Sequence, residues 1–196
     1  MKRWLVLVLI ACACGSSNDG SPDGGGNPNP GGSLTGTVGG HPLDVKDAVF
    51  GIDPSTKLVW VYAADRTGVC ALLGGTSLPG TTTALALVMV KVSGTGTADY
   101  TTGDYAWIDL SSVSGLPPAG LYWAGSFAVA TSCASSTTSD STAGAVTVTQ
   151  VGNSTGTHLK LNLTNVKFGT DTLSGSLEAS YCQTAAAPTC GGGGTP

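Results

Sequence analysis

Short apolar stretches separated by turn residues dominate the chain from Leu34 to Tyr181. Each stretch has the length of a β-strand, and clusters of Gly, Pro, Asp, Ser and Thr lie between them. No segment combines a 3.6-residue apolar repeat with capping residues, so helices are not expected to build the core. The predicted strands are Leu34–Val38, Ala48–Ile52, Leu58–Ala64, Ala84–Val92, Tyr105–Leu110, Leu121–Thr131, Ala145–Val151, Thr157–Phe168 and Thr172–Tyr181.

The composition favours the same all-β class. Charged residues make up 10% of the 196 residues, and Glu, Lys and Arg, which usually fill exposed helix faces, are scarce. Thr and Val, which favour strands, are abundant. Many short strands at this spacing are typical of sandwiches and barrels. We predict an antiparallel β-sandwich of the jelly-roll or immunoglobulin-like type, braced by disulfides.

Two sequence patterns predict details of this fold. The stretches LVWVYAA and ALALVMVKV are apolar on both faces and are expected to be central strands that are covered from both sides. Farther along, apolar residues occupy odd positions up to Leu163 and even positions from Val166. Because only an extra residue lets a strand change faces in this way, a β-bulge is predicted near Thr164 and Asn165. The turn at residues 168–171 then predicts a hairpin, which AVTVTQV extends to a three-stranded meander.

The first residues have the pattern of an export signal. Two basic residues precede an apolar run that ends at Ala11 and is far shorter than the ~20 residues of a membrane-spanning helix. The run ends in LIAC, which resembles the bacterial lipobox. The resemblance implies cleavage before Cys12 and attachment of a diacylglycerol, usually with a third acyl chain, to Cys12. We therefore expect residues 1–11 to be a lipoprotein signal peptide.

Two other processing sites remain open. Ala11-Cys12-Ala13 also fits the A-x-A rule, which would release a soluble protein that begins at Cys14. Alternatively, Cys14 is the lipidated residue of a shifted lipobox, for which Ala11 is a weaker match three residues upstream. Ala13 is not the Asp that typically retains lipoproteins in the inner membrane. An outer-membrane or surface location in the cell envelope is therefore expected.

Residues 12–32 are expected to tether the lipidated cysteine to the domain. From Gly15 to Gly32 the chain has no aliphatic or aromatic residue, so it cannot bury enough surface to offset its ordering entropy. A Gly-rich tether of this length has an end-to-end distance of roughly 23 Å. We expect a β-domain at residues 33–185, held clear of the lipid headgroups, and a flexible Gly-rich tail at residues 186–196.

The order of lipobox, Gly/Pro/Asn tether and Thr/Gly-rich β-domain resembles that of small uncharacterised lipoproteins common in myxobacteria and related bacteria. The residues that carry the resemblance are LIAC, the tether, LTGTVGGHPLDVKDAVFG and TLSGSLEASYC. The lipobox is the specific part, whereas the domain shares only a general pattern. The resemblance implies no activity, and no catalytic or binding residue is transferred from it.

Four cysteines lie beyond the tether: Cys70, Cys133, Cys182 and Cys190. An exported protein meets an oxidising environment, which favours disulfides, and four cysteines allow three pairings. Cys182 directly follows the last predicted strand, and we expect it to close the domain through Cys70 or Cys133. Cys190 is expected to pair with Cys182 or with a partner protein. A metal site is disfavoured because the chain has no C-x-x-C pair.

Charge disfavours one class of partner. The net charge is −4, and without the two basic residues of the leader only six basic residues remain against 12 acidic ones. Such a chain does not attract phosphate backbones, so nucleic acid is not an expected partner. The expected partners are a membrane, through the acyl chains, and a glycan or an envelope protein. No cofactor is predicted.

The sequence contains no catalytic motif that we recognise. The two histidines, His41 and His158, lie outside any H-E-x-x-H pattern, and there is no G-x-S-x-G elbow. A glycosidase needs two carboxyl groups at a set distance, which Asp99, Asp104 and Asp109 could supply. However, Asp residues in such turn-rich segments usually cap turns or stay solvated. We therefore predict that the protein is not an enzyme.

Aromatic residues are the best indication of a ligand surface. Trp60, Trp107, Trp123 and Tyr105 lie in predicted strands, and exposed aromatics on a sandwich commonly bind sugars. Core packing explains the same residues without a ligand. The sequence thus predicts a cell-envelope lipoprotein whose β-sandwich is a non-catalytic binding or structural module. The alternatives are a carbohydrate-binding or adhesive module and a small glycan hydrolase.

Overall fold

The computed structural model describes residues 31–74, 81–109, 112, 115–132 and 135–186. Cys12, Cys133 and Cys190 lie outside the described residues, as do the predicted signal peptide, most of the tether and nearly all of the tail. Within them the chain forms twelve strands, one short helix and one 3₁₀ turn.

The strands are β1 (Gly32–Val38), β2 (His41–Pro42), β3 (Asp47–Ile52), β4 (Val59–Ala64), β5 (Thr82–Ser93), β6 (Gly96–Ala98), β7 (Gly103–Trp107), β8 (Gly120–Ser132), β9 (Ser135–Asp140), β10 (Ala143–Gln150), β11 (His158–Phe168) and β12 (Asp171–Tyr181). The helix α1 spans Val69–Gly74, and the 3₁₀ turn spans Gln183–Ala186.

Eight of these strands close into a β-barrel in the order β11-β10-β7-β8-β5-β4-β3-β12, and β12 pairs back to β11. The ring consists of two antiparallel groups, one of β3, β4, β5 and β8, the other of β7, β10, β11 and β12. Two parallel seams join the groups. Ser180–Tyr181 of β12 pairs with Val49–Phe50 of β3, and Ala106–Trp107 of β7 pairs with Tyr122–Trp123 of β8.

The predicted jelly-roll or immunoglobulin-like sandwich is therefore wrong, although the all-β class is correct. A sandwich and a barrel show the same alternation of apolar and polar residues, because each buries one face of every strand. They differ in whether the outer strands pair with each other. Here that pairing is parallel and very short, so no local sequence pattern signals it.

The predicted strands are all present, with ends that shift by a few residues. The largest shift is in β7, which ends at Trp107 instead of continuing to Leu110. Three strands, β2, β6 and β9, and the helix α1 were missed. The strands β2 and β6 are very short, and β9, with the sequence SSTTSD, has no apolar residue. The helix has only six residues, too few to show a helical repeat.

The predicted bulge and hairpin are confirmed in β11 and β12. The register between these strands shifts between Leu163 and Val166, and Asn165 has a φ of 50°. The Asn165 amide donates to Ser174 Oγ at 2.9 Å, which holds the bulge against β12. Phe168 pairs with Asp171 across a two-residue turn, and β10 completes the predicted three-stranded meander.

Inward-pointing side chains from all eight ring strands form one continuous core. An eight-stranded barrel is just wide enough to be filled by side chains or to hold one small ligand. Here the interior contains large, fully buried side chains, among them Trp123, Tyr105, Phe50, Leu85, Leu87, Met89, Leu159, Leu161, Leu173 and Leu177. Burial of each such apolar side chain contributes about 1.5–3 kcal/mol. The interior is therefore the hydrophobic core of the protein.

A second apolar cluster lies outside the barrel, where α1 and the 3₁₀ turn pack on β3, β4 and β5. Its buried members are Val49, Tyr62, Ala64, Val69, Ala86, Cys182 and Ala185. A disulfide between Cys70 of α1 and Cys182 joins the two covering segments. Of the three partners predicted for Cys182, Cys70 is confirmed, and the pairings of Cys182 with Cys133 and with Cys190 are wrong. The cluster confirms that LVWVYAA is covered from both sides.

β1 approaches β12 so closely that only glycine fits at the contact. Gly175 has a φ of 139°, and a Cβ at this position would lie 1.9 Å from the carbonyl oxygen of Ser33. On the facing strand, a Cβ at Gly36 would lie 2.0 Å from the carbonyl oxygen of Thr172. Any other residue must push β1 away from β12 or distort the backbone.

We expect Gly175→Ala to lower the free energy of unfolding by about 1–3 kcal/mol, the usual range for a strained backbone position. The matched control is Gly96→Ala, because a Cβ there meets no atom within 4 Å. The control should change stability by no more than about 0.5 kcal/mol. Urea unfolding followed by tryptophan fluorescence measures both variants. Equal midpoints for the two would contradict the close approach of β1 and β12.

Candidate functional site

The four aromatic residues predicted as a ligand platform lie in different environments. Trp123 and Tyr105 point into the barrel and are 0% and 1% exposed. Trp107 is half-buried and packs against the same core, whereas Trp60 is half-buried on the outside and packs against the cluster under α1. The four residues therefore form no continuous platform, and two of them are core residues.

The two core aromatics differ in whether their polar atom has a hydrogen-bond partner. The Tyr105 hydroxyl donates to the carbonyl oxygen of Thr101 at 2.9 Å and accepts from the Thr101 amide at 3.2 Å. Burial raises the pKa of Tyr105, so this hydroxyl stays protonated. The indole Nε1 of Trp123 is buried and has no hydrogen-bond partner within the described segments. Both environments indicate a structural role in the core.

The three carboxylates considered for catalysis are engaged separately. Asp99 forms an exposed ion pair with Lys57, with Oδ1 and Nζ 3.3 Å apart. Asp104 accepts a hydrogen bond from Thr147 Oγ1 at 2.6 Å on the outer face of the sheet. Asp109 instead lies near a carboxylate that sequence analysis did not single out, Asp140. The three predicted carboxylates are therefore not grouped together, and Asp109 instead acts electrostatically on Asp140.

This carboxylate pair lies at a break in the pairing along β8. β8 pairs with β7 through residues 122–123 and with β9 from Ser126 onward. Because β7 runs parallel and β9 antiparallel to β8, their carboxyl ends point toward each other along one edge of β8. Asp140 is the last residue of β9, and Asp109 follows β7 by two residues. We call this place the β7/β9 junction.

Ser141 forms hydrogen bonds with Gly125 and Trp107 at the junction. Its amide donates to the carbonyl oxygen of Gly125 at 2.7 Å, and its hydroxyl accepts from the Gly125 amide at 2.9 Å. The indole Nε1 of Trp107 donates to Ser141 Oγ at 3.1 Å and approaches the Ser141 carbonyl oxygen at 3.2 Å. Trp107 is therefore a positioning residue of the junction, with its ring against the core.

Two effects act on the Asp140 carboxyl group. Burial raises its pKa, and the negative charge of Asp109 raises it further. Within the described part of the chain, no three His, Cys, Asp or Glu side chains are grouped so that they could hold a metal ion. The effect that the structure supports is a carboxyl group at Asp140 that binds its proton more tightly than a free Asp side chain does.

Sequence reasoning missed Asp140 for a physical reason. It lies in SSTTSDSTAG, a polar segment in which an Asp is typical of a turn. Its partner, Asp109, lies far away along the chain and meets it only because β7 and β9 share an edge of β8. The one available hint is that Asp140 is the only acidic residue between Asp109 and Asp171.

No protein-family model matches the chain, and neither a curated protein nor a solved structure shows significant similarity to it. Among the helices in the described part of the chain, none has the length and hydropathy of a membrane-spanning segment. Function is thus inferred from the residues of this chain alone.

The raised pKa of Asp140 gives a pH-dependent prediction. Since the folded state binds this proton more tightly than the unfolded state, ionisation of Asp140 costs stability as pH rises through its folded pKa. We expect Asp140→Asn to stabilise the protein at pH 7 by about 0.5 kcal/mol, at the upper end for surface substitutions. At pH 3 the gain should vanish, because Asp140 is then protonated in both states.

Urea unfolding at both pH values measures this effect. Asp99→Asn is the control, because it removes a carboxylate from an exposed ion pair with Lys57 and should give no gain at pH 7. An Asp140→Asn gain that is equal at pH 3 and pH 7, or absent at pH 7, would contradict the raised pKa of Asp140 in the folded protein.

Proposed function

We propose that the protein is a lipid-anchored protein of the bacterial cell envelope whose β-barrel is a non-catalytic binding or structural module. The disulfide between Cys70 and Cys182 is the observation that carries the extracytoplasmic part of this proposal. Disulfides persist in oxidising compartments and are rare in the reducing cytosol. This argument for export is independent of the leader.

The anchor is proposed at Cys12. One acyl chain holds a protein at a bilayer only marginally, whereas two or three chains, as on a bacterial lipoprotein, hold it stably. β1 begins at Gly32, at the end of the predicted tether, and pairs with β12 of the barrel. The Glu178 amide of β12 donates to the carbonyl oxygen of Gly31 at 2.7 Å. The tether would therefore reach the folded domain where the start of β1 pairs with β12.

The positions of the carboxylates support a non-catalytic role. Asp99 and Asp104 are bound to Lys57 and Thr147, and Asp109 pairs with Asp140, so no two of the predicted three converge. A ligand inside the barrel is also disfavoured, because core side chains from all eight ring strands occupy the interior. Binding would therefore use the outer surface.

The outer face of β10, β11 and β12 supports a binding role. Lys167 and the Lys160–Glu178 ion pair lie on this face. Its other exposed side chains carry uncharged hydroxyl and amide groups, among them Thr149, Asn162 and Ser176. Such groups suit neutral polar partners, such as a glycan or a polar protein surface. The aromatic platform of the carbohydrate-binding alternative has less support, because Trp123 and Tyr105 are core residues.

We expect lipidation at Cys12 in the native bacterium. Intact-mass analysis should show a polypeptide that begins at Cys12 and carries a diacylglycerol and an additional acyl chain. Cys12→Ser should abolish incorporation of labelled palmitate and leave the precursor uncleaved.

The matched control is Cys14→Ser, which should keep both the label and the processing. Loss of the label in Cys14→Ser alone would move the anchor to Cys14. An unmodified soluble chain that begins at Cys14, or one that retains its leader in the cytosol, would overturn the lipid anchor.

We further expect no hydrolase activity from the purified domain. Glycan and peptide substrates incubated with the wild-type domain should release no more product than with Asp109→Asn/Asp140→Asn, because Asp99 and Asp104 are engaged with Lys57 and Thr147 and do not converge with Asp109. Product release by the wild type that disappears in this variant would overturn the non-catalytic assignment. Asp104→Asn is the control, because it removes a carboxylate from another part of the outer surface and should leave product release unchanged.

A further inference from the structure

The segments that cover the outer apolar cluster are too short to be stable on their own. Isolated helices below about 12–15 residues are marginal in water. The helix α1 has six residues and the 3₁₀ turn has four. Their order therefore depends on attachment to the barrel. We call α1 and the 3₁₀ turn together the cover.

The cover hides an apolar part of the barrel wall. Along each strand of a barrel, inward-facing residues alternate with outward-facing ones, and the outward-facing residues of a water-exposed wall are normally polar. On β3, β4 and β5 the outward-facing residues include the buried Val49, Tyr62 and Ala86. Val69 of α1 and Ala185 of the 3₁₀ turn are buried against them. Without the cover, these side chains would be exposed to water.

Two hydrogen bonds and the disulfide are among the contacts that hold the cover in place. Asp47 Oδ2 of β3 accepts a hydrogen bond from the Val69 amide at the start of α1, at 2.9 Å. On the other side, the Cys182 amide donates to the carbonyl oxygen of Phe50 at 2.7 Å, which fixes Cys182 to β3. The disulfide then joins Cys70 of α1 to Cys182. It is the covalent link between the two halves of the cover.

The ring of the barrel is formed by strand pairing that does not involve the cover. The ring consists of strand pairs, and none of them includes α1 or the 3₁₀ turn. The seam between β12 and β3 is formed by backbone pairing of residues 180–181 with residues 49–50, supported by edge-to-face packing of Phe50 and Tyr181 with centroids 5.5 Å apart. Loss of the cover therefore breaks no strand pair of the ring.

We propose that the disulfide between Cys70 and Cys182 is a redox-sensitive latch on the cover. Reduction frees α1 and exposes the outer apolar wall of β3, β4 and β5, while the barrel stays closed. The inference is independent of the lipid anchor, because it depends only on the described contacts of the folded domain.

The reductant is a dithiol, from a small molecule or a thiol–disulfide exchange protein. Its thiolate attacks one sulfur and forms a mixed disulfide, and the second cysteine leaves as a thiolate that takes up a proton. The second thiol of the reductant then displaces the remaining cysteine. The dithiol ends as a disulfide, and Cys70 and Cys182 end as thiols. Since Cys70 is half-buried and Cys182 is 2% exposed, the attack comes from the Cys70 side.

A test must separate local opening from loss of global stability. A disulfide that closes a loop of 112 residues also stabilises the whole domain through the unfolded state, so a lower melting temperature is expected in any case. Hydrogen exchange with mass spectrometry under native conditions is therefore the measurement. Cys70→Ser/Cys182→Ser is compared with the oxidised wild type in the mature chain, since this variant leaves Cys133 and Cys190 unchanged.

At labelling times at which the oxidised barrel strands remain unlabelled, amides of residues 69–74 and 183–186 should exchange at least tenfold faster in the variant. Strands β4, β5 and β8 should remain unlabelled. Wild type reduced with dithiothreitol should give the same map. Asp47→Ala in the oxidised protein is the matched comparison, and its cover should stay more protected than in the cysteine variant, because the disulfide remains.

Two results would overturn the latch. In the first, residues 69–74 keep their oxidised protection in both the cysteine variant and the reduced wild type. In the second, the barrel strands become labelled together with the cover, or neither reduced form folds, which would show that the bond holds the barrel itself.

Discussion

The closed barrel depends on two parallel seams that are each only two residue pairs long. Everything else in the ring is antiparallel pairing that a sandwich would also contain. At the first seam, Tyr181 packs edge to face on Phe50, and Cys182 then bonds to the Phe50 carbonyl oxygen. The hydrogen bonds and the aromatic packing that close this seam therefore involve the same few residues, Phe50, Tyr181 and Cys182. Its short length makes closure dependent on the side chains around it.

The second seam explains the position of the carboxylate pair. β7 pairs with β8 for two residues and then ends, which leaves the edge of β8 to β9. Where two strands end toward each other on one edge, backbone groups lose their ladder partners and need other hydrogen-bond partners. Ser141 supplies these hydrogen bonds to Gly125, and Trp107 supports Ser141. Asp109 and Asp140 are brought together as a consequence of this geometry.

The filled interior and the covered outer wall limit where the protein can act. The core occupies the inside of the ring, and α1 with the 3₁₀ turn occupies the outside of β3, β4 and β5. The outer face of β10, β11 and β12 carries exposed hydroxyl and amide groups. Sulfur chemistry is proposed at two places in this protein: a thioether at Cys12 that sets its location, and a disulfide at Cys182 that controls the cover.

The sequence by itself determined the elements whose cause is local. Apolar stretches of strand length located nine of the twelve described strands. The phase change after Leu163 located the bulge, and the two-residue turn before Asp171 located the hairpin. The tertiary structure alone decided the closure of the ring, the partner of Cys182 and the meeting of Asp109 with Asp140. These depend on contacts between residues far apart in the chain, and the short parallel seams that create them leave no periodic pattern. The same is true of the aromatic residues. The sequence places Trp60 and Trp123 in strands, but only the fold shows that Trp123 faces the inside of the barrel and Trp60 the outside.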